Sequence, residues 1–365
     1  MTTGRDADEP SILDLANIDA AIAEHDLSGF HTYLEGLPQQ ARDAWALAQT
    51  WPLPPDFRPP SRVLLLGVGG SAIGADIVAT LARLGGRVPI EVIRHYEVPN
   101  VDENALVIAA SFSGNTEETL AALEATLITP GMRIALTTGG RLEQFARERS
   151  IPLISYEWPG PPRTALGYGL FTILGVLARI GAIDLEHAAV DRAIDALSDA
   201  VHRYGIDAEP NEAKRLATMM GHRLPVIIGA DFLDVAARRF ASEVSENAKH
   251  WAFWSALPEF NHNTLQALGS PNGAPRAIIP IILDAPAVHA RNRRRVDETL
   301  RMMGEYAMDA RVIDAGGDTP LEAIVRAASL ASWTSYYLAL LNGVDPTPVT
   351  ALDTFKARMG HSATE

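Results

Sequence analysis

Residues 105–120 read ALVIAASFSGNTEETL. A short apolar run leads straight into Ser111, Ser113, Gly114, Asn115 and Thr116, followed by two glutamates and the start of a helical pattern. An unbroken apolar run bounded by turn residues suits a strand covered on both faces. The helical pattern directly after it places the hydroxyl cluster at the C-terminal end of a parallel strand, where open α/β sheets bind their ligands. The first amides of such a helix lack intrahelical partners, and its dipole adds partial positive charge, so the turn favours an anion such as phosphate. Ser111, Ser113 and Thr116 would add hydroxyl donors, and Gly114 would let the backbone approach closely. Capping of the helix by Asn115 or Thr116 would need one such side chain. The cluster holds four, which points to a bound phosphate.

Outward from this stretch the same rhythm continues. RVLLLG (62–67), IEVIRHY (90–96), RIALTTGG (133–140) and PLISY (152–156) read as strands. IGADIVATLARLGG (73–86), TEETLAALEATL (116–127) and RLEQFARERS (141–150) read as the helices between them. Strands and helices alternating at this pitch predict a parallel, doubly wound α/β sheet. TALGYGLFTILGVLARIGAI (164–183) predicts one long apolar helix, and DLEHAAVDRAIDALSDAVHRYG (184–205) another. After Glu209 the order restarts with LPVIIGADFLDVAARRFASEV (224–244), RAIIPIILD (276–284), DETLRMMGEYA (297–307) and ARVIDAGG (310–317). The expectation is a helical N-terminal extension over 1–50, a first α/β domain over 51–195 opened by the proline-stiffened connector WPLPPDFRPP, and a second over 196–365 ending in a helical segment.

Composition narrows the function. The chain has 365 residues, 47% hydrophobic and 21% charged, enough for a sizeable core. It has no cysteine, which excludes a disulfide scaffold, a thiolate nucleophile and cysteine-ligated zinc. A net charge of −14 gives no electrostatic footprint for nucleic acid or an anionic membrane. The N-terminal stretch lacks the apolar core of a secretory signal, and no run approaches the roughly 20 apolar residues of a spanning helix. The expected location is the cytoplasm. RNRRR (291–295) reads as a solvated or helix-start feature.

A second glycine-rich loop, GVGGSAIG (67–74), fits G-x-G-x-x-A through Gly67, Gly69 and Ala72. A dinucleotide site also asks for an acid at the end of the next strand, and IEVIRHY ends in Arg94, His95 and Tyr96, with Glu97 late. Ser71, with Gly69 and Gly70 before it, equally makes a second contact to an anion or a sugar hydroxyl.

The pair GVGGSAIG and SFSGNTEET resembles the sugar isomerase (SIS) domain. T137-TGGRL, P162-R163, S245-ENAK, L257-PEFNHN and V344-DP followed by Lys356 are, in this order, similar to the bifunctional phosphoglucose/phosphomannose isomerase family, over roughly residues 60–360. The resemblance implies two SIS domains and reversible conversion of glucose 6-phosphate or mannose 6-phosphate to fructose 6-phosphate, with no metal and no organic cofactor. It implies a homodimer with shared active sites. Glu246 matches the base that moves a proton between C2 and C1. His262 matches the ring-opening histidine, which reaches the partner subunit's site. Lys356 matches a C-terminal lysine beside the sugar's C1–C2 region, and Arg163 an arginine that stabilises enediolate charge. Phosphate is expected on Gly69, Gly70, Ser71, Ser111, Ser113 and Thr116.

Without the resemblance these residues read more plainly. Glu246 is a solvated helical glutamate near Glu243; as a base, it could be tuned towards neutrality by desolvation if buried. His262 is a polar residue whose neighbours Asn261 and Asn263 could fix its tautomer. Lys356 is a surface lysine, and Arg163 precedes an apolar stretch where its charge needs an anion. Arg141 is a helix-start residue. The sequence departs from the family at Ala72, where Gly is usual, at Phe112, where Tyr is usual, and at Thr264, where Glu is common. WAFWSAL (251–257) is assigned to the core or the dimer interface. Two rivals stand beside the isomerase. One is a non-catalytic phosphosugar-binding regulator, which has no need of Glu246, His262 and Lys356 together. The other is an isomerase of a different phosphosugar.

Overall fold

The computed structural model describes residues 17–85 and 87–361, and readings that fall on residues 1–16 lie outside the described residues. Helices α1 (Ile18–His25), α2 (Phe30–Glu35) and α3 (Leu37–Thr50) precede the first strand. α3 buries Ala41, Ala44, Trp45 and Ala48, the spacing of one helical face.

β1 (Val63–Leu66), α4 (Gly70–Gly85), β2 (Ile90–Ile93), β3 (Leu106–Ser111), α5 (Glu117–Ala125), β4 (Met132–Thr137), α6 (Gly140–Glu148) and β5 (Leu153–Ser155) alternate as the sequence predicts. The strands form one sheet in the order β2-β1-β3-β4-β5, every neighbouring pair parallel. Every residue of β1 and β3 is buried, which is the physical reason for their unbroken apolar sequence. The chain leaves β1 for β2 on one side and returns to β3 on the other. The loops after β1 and β3 therefore diverge and leave a crevice between them.

The stretch 164–183 is helical over most of its length, as expected, but not regular. A tight turn at Pro162–Thr164 and a wide helical turn at Tyr168–Thr172 precede α7, which covers only Ile173–Ile180. Helical backbone nevertheless runs unbroken from Leu166 to Ile180 with the wide turn inside it, and the Gly167 amide, in the first turn where no intrahelical acceptor exists, donates to Gln40 Oε1 at 2.6 Å. α8 (His187–Tyr204) packs on both α3 and a later helix, and α9 (Glu212–Met220) follows. The expected boundary between residues 195 and 196 falls inside α8.

β6 (Leu224–Ala230), α10 (Asp234–Ala248), β7 (Phe253–Leu257), α11 (Ala274–Ala277), β8 (Ile278–Asp284), α12 (Ala290–Glu305) and β9 (Arg311–Asp314) build a second parallel sheet in the order β7-β6-β8-β9. RNRRR lies in the first turn and a half of α12, as a helix-start feature. WAFWSAL, in contrast, is not in the core: it is the edge strand β7 and the residues before it. Trp251 is 75% exposed, Phe253 48% and Trp254 41%. An edge strand has a neighbour on one side only, which leaves these rings uncovered.

α13 (Pro320–Leu341) buries every residue except Pro320 and Arg326, and α14 (Thr350–His361) ends the described chain. One core joins the two sheets through α8, α10 and α13, with Trp333, Tyr336 and Tyr337 among its largest members. A smaller core, including Leu64, Leu66, Val107 and Leu142, fills the opposite face of the first sheet.

Candidate active site

The crevice at the first sheet is lined by the two loops singled out above. Ser111 ends β3 buried, its Oγ 2.8 Å from Thr116 Oγ1. Thr116 occupies the N-cap position of α5, yet its side chain makes no capping bond, so the α5 amides keep that face open. Ser113 Oγ accepts from the Asn115 amide at 3.2 Å. Asn115 in turn links this loop to the one after β4: its Oδ1 accepts from the Arg141 amide at 3.2 Å. Gly114 has φ 68°, and a β-carbon there would stand 1.8 Å from Gly139 O, so only glycine lets the loops meet. Arg141 serves as a helix-start residue of α6.

The first loop closes the other side. Ser71 Oγ accepts from the Phe112 amide at 3.0 Å. Gly69 turns with φ 59°, and Gly70 lies against the Pro162–Arg163 backbone, where an added β-carbon would be 3.3 Å from Pro162 O. Gly69, Gly70, Ser71, Ser111, Ser113 and Thr116 therefore share one crevice. Arg94, at the end of β2, pairs with Asp76, so that strand end presents a guanidinium where a dinucleotide site needs a carboxylate.

Arg163 carries the crevice on towards α10. It is 5% exposed, and burial pushes its pKa down, against the pull of Glu246 first among nearby carboxylates. Nε donates to Asn247 Oδ1 at 2.5 Å, and Nη2 donates to Pro346 O at 2.6 Å and Thr347 O at 2.8 Å. Nη1 stands 3.8 Å from Glu246 Oε2, and the guanidinium lies over the Phe30 ring. These contacts fix the fork and aim one arm at Glu246. The Glu246 side chain is 33% exposed, on the side of α10 away from the buried Glu243 and Asn247.

The buried face of the same helix escapes the sequence reading. Glu243 and Asn247 are four residues apart and both point inward. Glu243 accepts from Arg239 Nη2 at 2.5 Å and from Ser332 Oγ at 3.0 Å, and burial raises its pKa despite Arg239. Asn247 Nδ2 donates to Ser335 Oγ at 2.9 Å, tying Arg163 to α13. The signal is in the sequence, since Glu243 and Asn247 share the spacing of the apolar positions Phe240 and Val244. Lys249 is a second omission. Its ammonium donates to Glu246 O at 2.8 Å and Pro346 O at 3.1 Å.

Two of the expected residues stand apart. His262 follows β7, whose C-terminal end pairs with that of β6 at Ala230 and Leu257. Glu246 lies at the opposite, N-terminal end of these strands, where the next residues return to the start of β6 through His250 Nε2 and Arg223 O at 2.8 Å. A five-residue strand, about 16 Å long, separates them. The flanking amides do not fix the imidazole as expected: Asn261 Nδ2 donates to Thr299 Oγ1 and Asn263 Nδ2 to Glu259 Oε1, both at 2.8 Å. Lys356 lies on α14, whose described side chains are all exposed, with Leu352, Phe355 and Met359 on its surface. α14 leaves the site from Thr347, which Arg163 holds. Among the described residues no three His, Asp or Glu side chains form a group able to hold a metal ion, and no helix is long and apolar enough to cross a membrane.

Residues 209–359 match the family model described as bacterial phospho-glucose isomerase C-terminal SIS domain. A bifunctional phosphoglucose/phosphomannose isomerase of Caldicellulosiruptor bescii is 32% identical over 88% of this chain and 96% of its own length. A D-glucosamine-6-phosphate 4-epimerase of Sulfolobus acidocaldarius is 30% identical over 64% of this chain and 72% of its own. In fold, the crystal structure of a hypothetical protein from Thermus thermophilus superposes with a TM-score of 0.74 at 16% identity, covering 95% of this chain and 94% of that one.

Proposed function

The chain belongs to the bifunctional phosphoglucose/phosphomannose isomerase family, and from that premise we propose that it interconverts glucose 6-phosphate or mannose 6-phosphate and fructose 6-phosphate through a cis-enediol. The observation that carries this is the continuity of the hydroxyl crevice with the Arg163–Glu246 pair, 3.8 Å apart. The ester end binds at Gly69, Gly70, Ser71, Ser111, Ser113 and Thr116, on uncharged donors and two helix N-termini. No lysine is needed there, which suits a chain of net charge −14. Glu246 takes the proton from C2 and returns it to C1. Arg163, held in place by Asn247 and two carbonyls, meets the negative charge that develops on the enediolate oxygen.

The remaining two roles need a second subunit or a moving helix. His262 opens the pyranose ring in the partner's site, which makes the working unit a homodimer. The strand between His262 and Glu246, and the exposed Trp251, Phe253 and Trp254 on that edge, support this arrangement. Lys356 approaches the C1–C2 region when α14 folds over the crevice with Phe355 and Met359 covered. The division into a helical extension (1–50), a first SIS domain (51–195) and a second (196–365), and a cytoplasmic location, belong to the same proposal.

One observation favours a second reading, action on a different phosphosugar: a relative of comparable identity carries the name of an amino-sugar phosphate epimerase, and Thr264 stands beside His262. A coupled assay for fructose 6-phosphate, offered each hexose 6-phosphate separately and with chelator present, decides between them. Product from either substrate supports the proposal. Hexose 6-phosphate binding by calorimetry without product favours the regulator, and conversion of an amino-sugar phosphate alone, followed by NMR, favours the second reading.

A further inference from the structure

We propose that Lys249 is a positioning residue, one that locks Glu246 and the segment leading to Lys356 in a single register. This rests on the isomerase reading above. Lys249 immediately follows α10 and has φ 51°, the left-handed C-terminal position that favours glycine. A lysine in that conformation carries backbone strain that a glycine would not. Its side chain offsets this through three carbonyls: Glu246 O at 2.8 Å, Asn247 O at 3.2 Å and Pro346 O at 3.1 Å. The first two belong to the last turn of α10, where carbonyls lack intrahelical donors and a cation is favoured by the dipole. The third is the carbonyl that Arg163 Nη2 also holds at 2.6 Å. Two cations therefore pin the 344–349 segment, which opens α14, to the turn of helix that carries Glu246.

The charged groups facing the ammonium are Arg163 from the Pro162–Thr164 turn, Glu246 from α10 and Asp345 from the segment before α14. Lys249 is exposed as a residue, yet its ammonium meets all three carbonyls within 3.2 Å. Burial, then the Arg163 charge, pushes its pKa down to about 8, against the pull of Asp345 and Glu246. The charged form is the one that fills all three carbonyls, so the lock is complete below that pH and loosens above it.

Lys249→Gly and Lys249→Arg, compared with the unmutated chain, test the assignment. Glycine accepts the left-handed backbone, so the first variant should melt no lower than its parent. Its kcat should fall about tenfold or more through misplacement of Glu246, with KM within about twofold of the parent. Arginine should restore most of kcat. In the parent, kcat should decline as pH rises through about 8; in the arginine variant that limb should move upward, because a guanidinium stays protonated there. Parent-like kcat in Lys249→Gly overturns the proposal, as does an unmoved alkaline limb in Lys249→Arg. A kcat loss that arginine does not restore and that comes with a lower melting temperature marks a packing defect and also overturns it. If the unmutated chain turns over neither hexose 6-phosphate, the isomerase reading has failed, and the Lys249 proposal falls with it.

Discussion

Arg163 shows how one residue serves two ends of a site. Its Nε and Nη2 are spent on Asn247, Pro346 and Thr347, and that fixed fork leaves Nη1 beside Glu246. Lysine offers a point charge and no fork. Arg163→Lys should therefore lower kcat about a hundredfold, the loss typical of a removed oxyanion donor, as steady-state kinetics would show. In the proposed site the hydroxyls hold the other end of the substrate. Ser113→Ala with Thr116→Ala removes two donors to a dianion and should raise KM about tenfold or more, with kcat largely kept. An unchanged KM would take the phosphate away from this loop. The Ser111–Thr116 pair is legible in the sequence because four small polar residues stand where a cap needs one. Lys249 is not, because nothing in a sequence marks a lysine that takes a glycine-like backbone.

At the scale of elements, α10 does two jobs with two faces. Phe240, Glu243, Val244 and Asn247 point inward, Glu243 and Asn247 onto serines of α13, and Glu246 points at the crevice. A buried ion pair such as Arg239–Glu243 is stable only when its remaining hydrogen bonds are met, and Ser332 supplies one. The inner strands β1, β3, β6 and β8 can be read from unbroken apolar runs, since both faces are covered, whereas the exposed edge strand β7 escapes that reading. α13 cannot be read by periodicity: a helix buried all round has no polar side to set a period. The 164–183 run does form a helix over 166–180, but the wide turn inside it at Tyr168–Thr172 has no mark in the apolar pattern. The loop contact at Gly114 gives a direct test. Gly114→Ala forces a left-handed alanine into Gly139 O and should cost about 3 kcal/mol in denaturant unfolding while weakening phosphosugar binding.

At the scale of the molecule, the account depends on two copies. Glu246 and His262 lie at opposite ends of β7, and in the proposed arrangement each complete site draws on both subunits. Glu246→Gln and His262→Ala should each be nearly inactive alone. Co-expressed in equal amounts, half the dimers are mixed and each mixed dimer regains one intact site of two, so about a quarter of the parent activity should return. No recovery on mixing would place both groups in one subunit. Sequence similarity locates Glu246, His262, Lys356 and Arg163, but only the folded chain separates those that meet within it from those that do not. The measurement that bears most directly on the chemistry is the turnover of Glu246→Gln with glucose 6-phosphate, alongside its affinity for the same ligand by calorimetry. The account predicts a kcat lower by about a thousandfold, the worth of a positioned general base, with affinity close to the parent's. A kcat near the parent's would contradict it and remove Glu246 from the reaction.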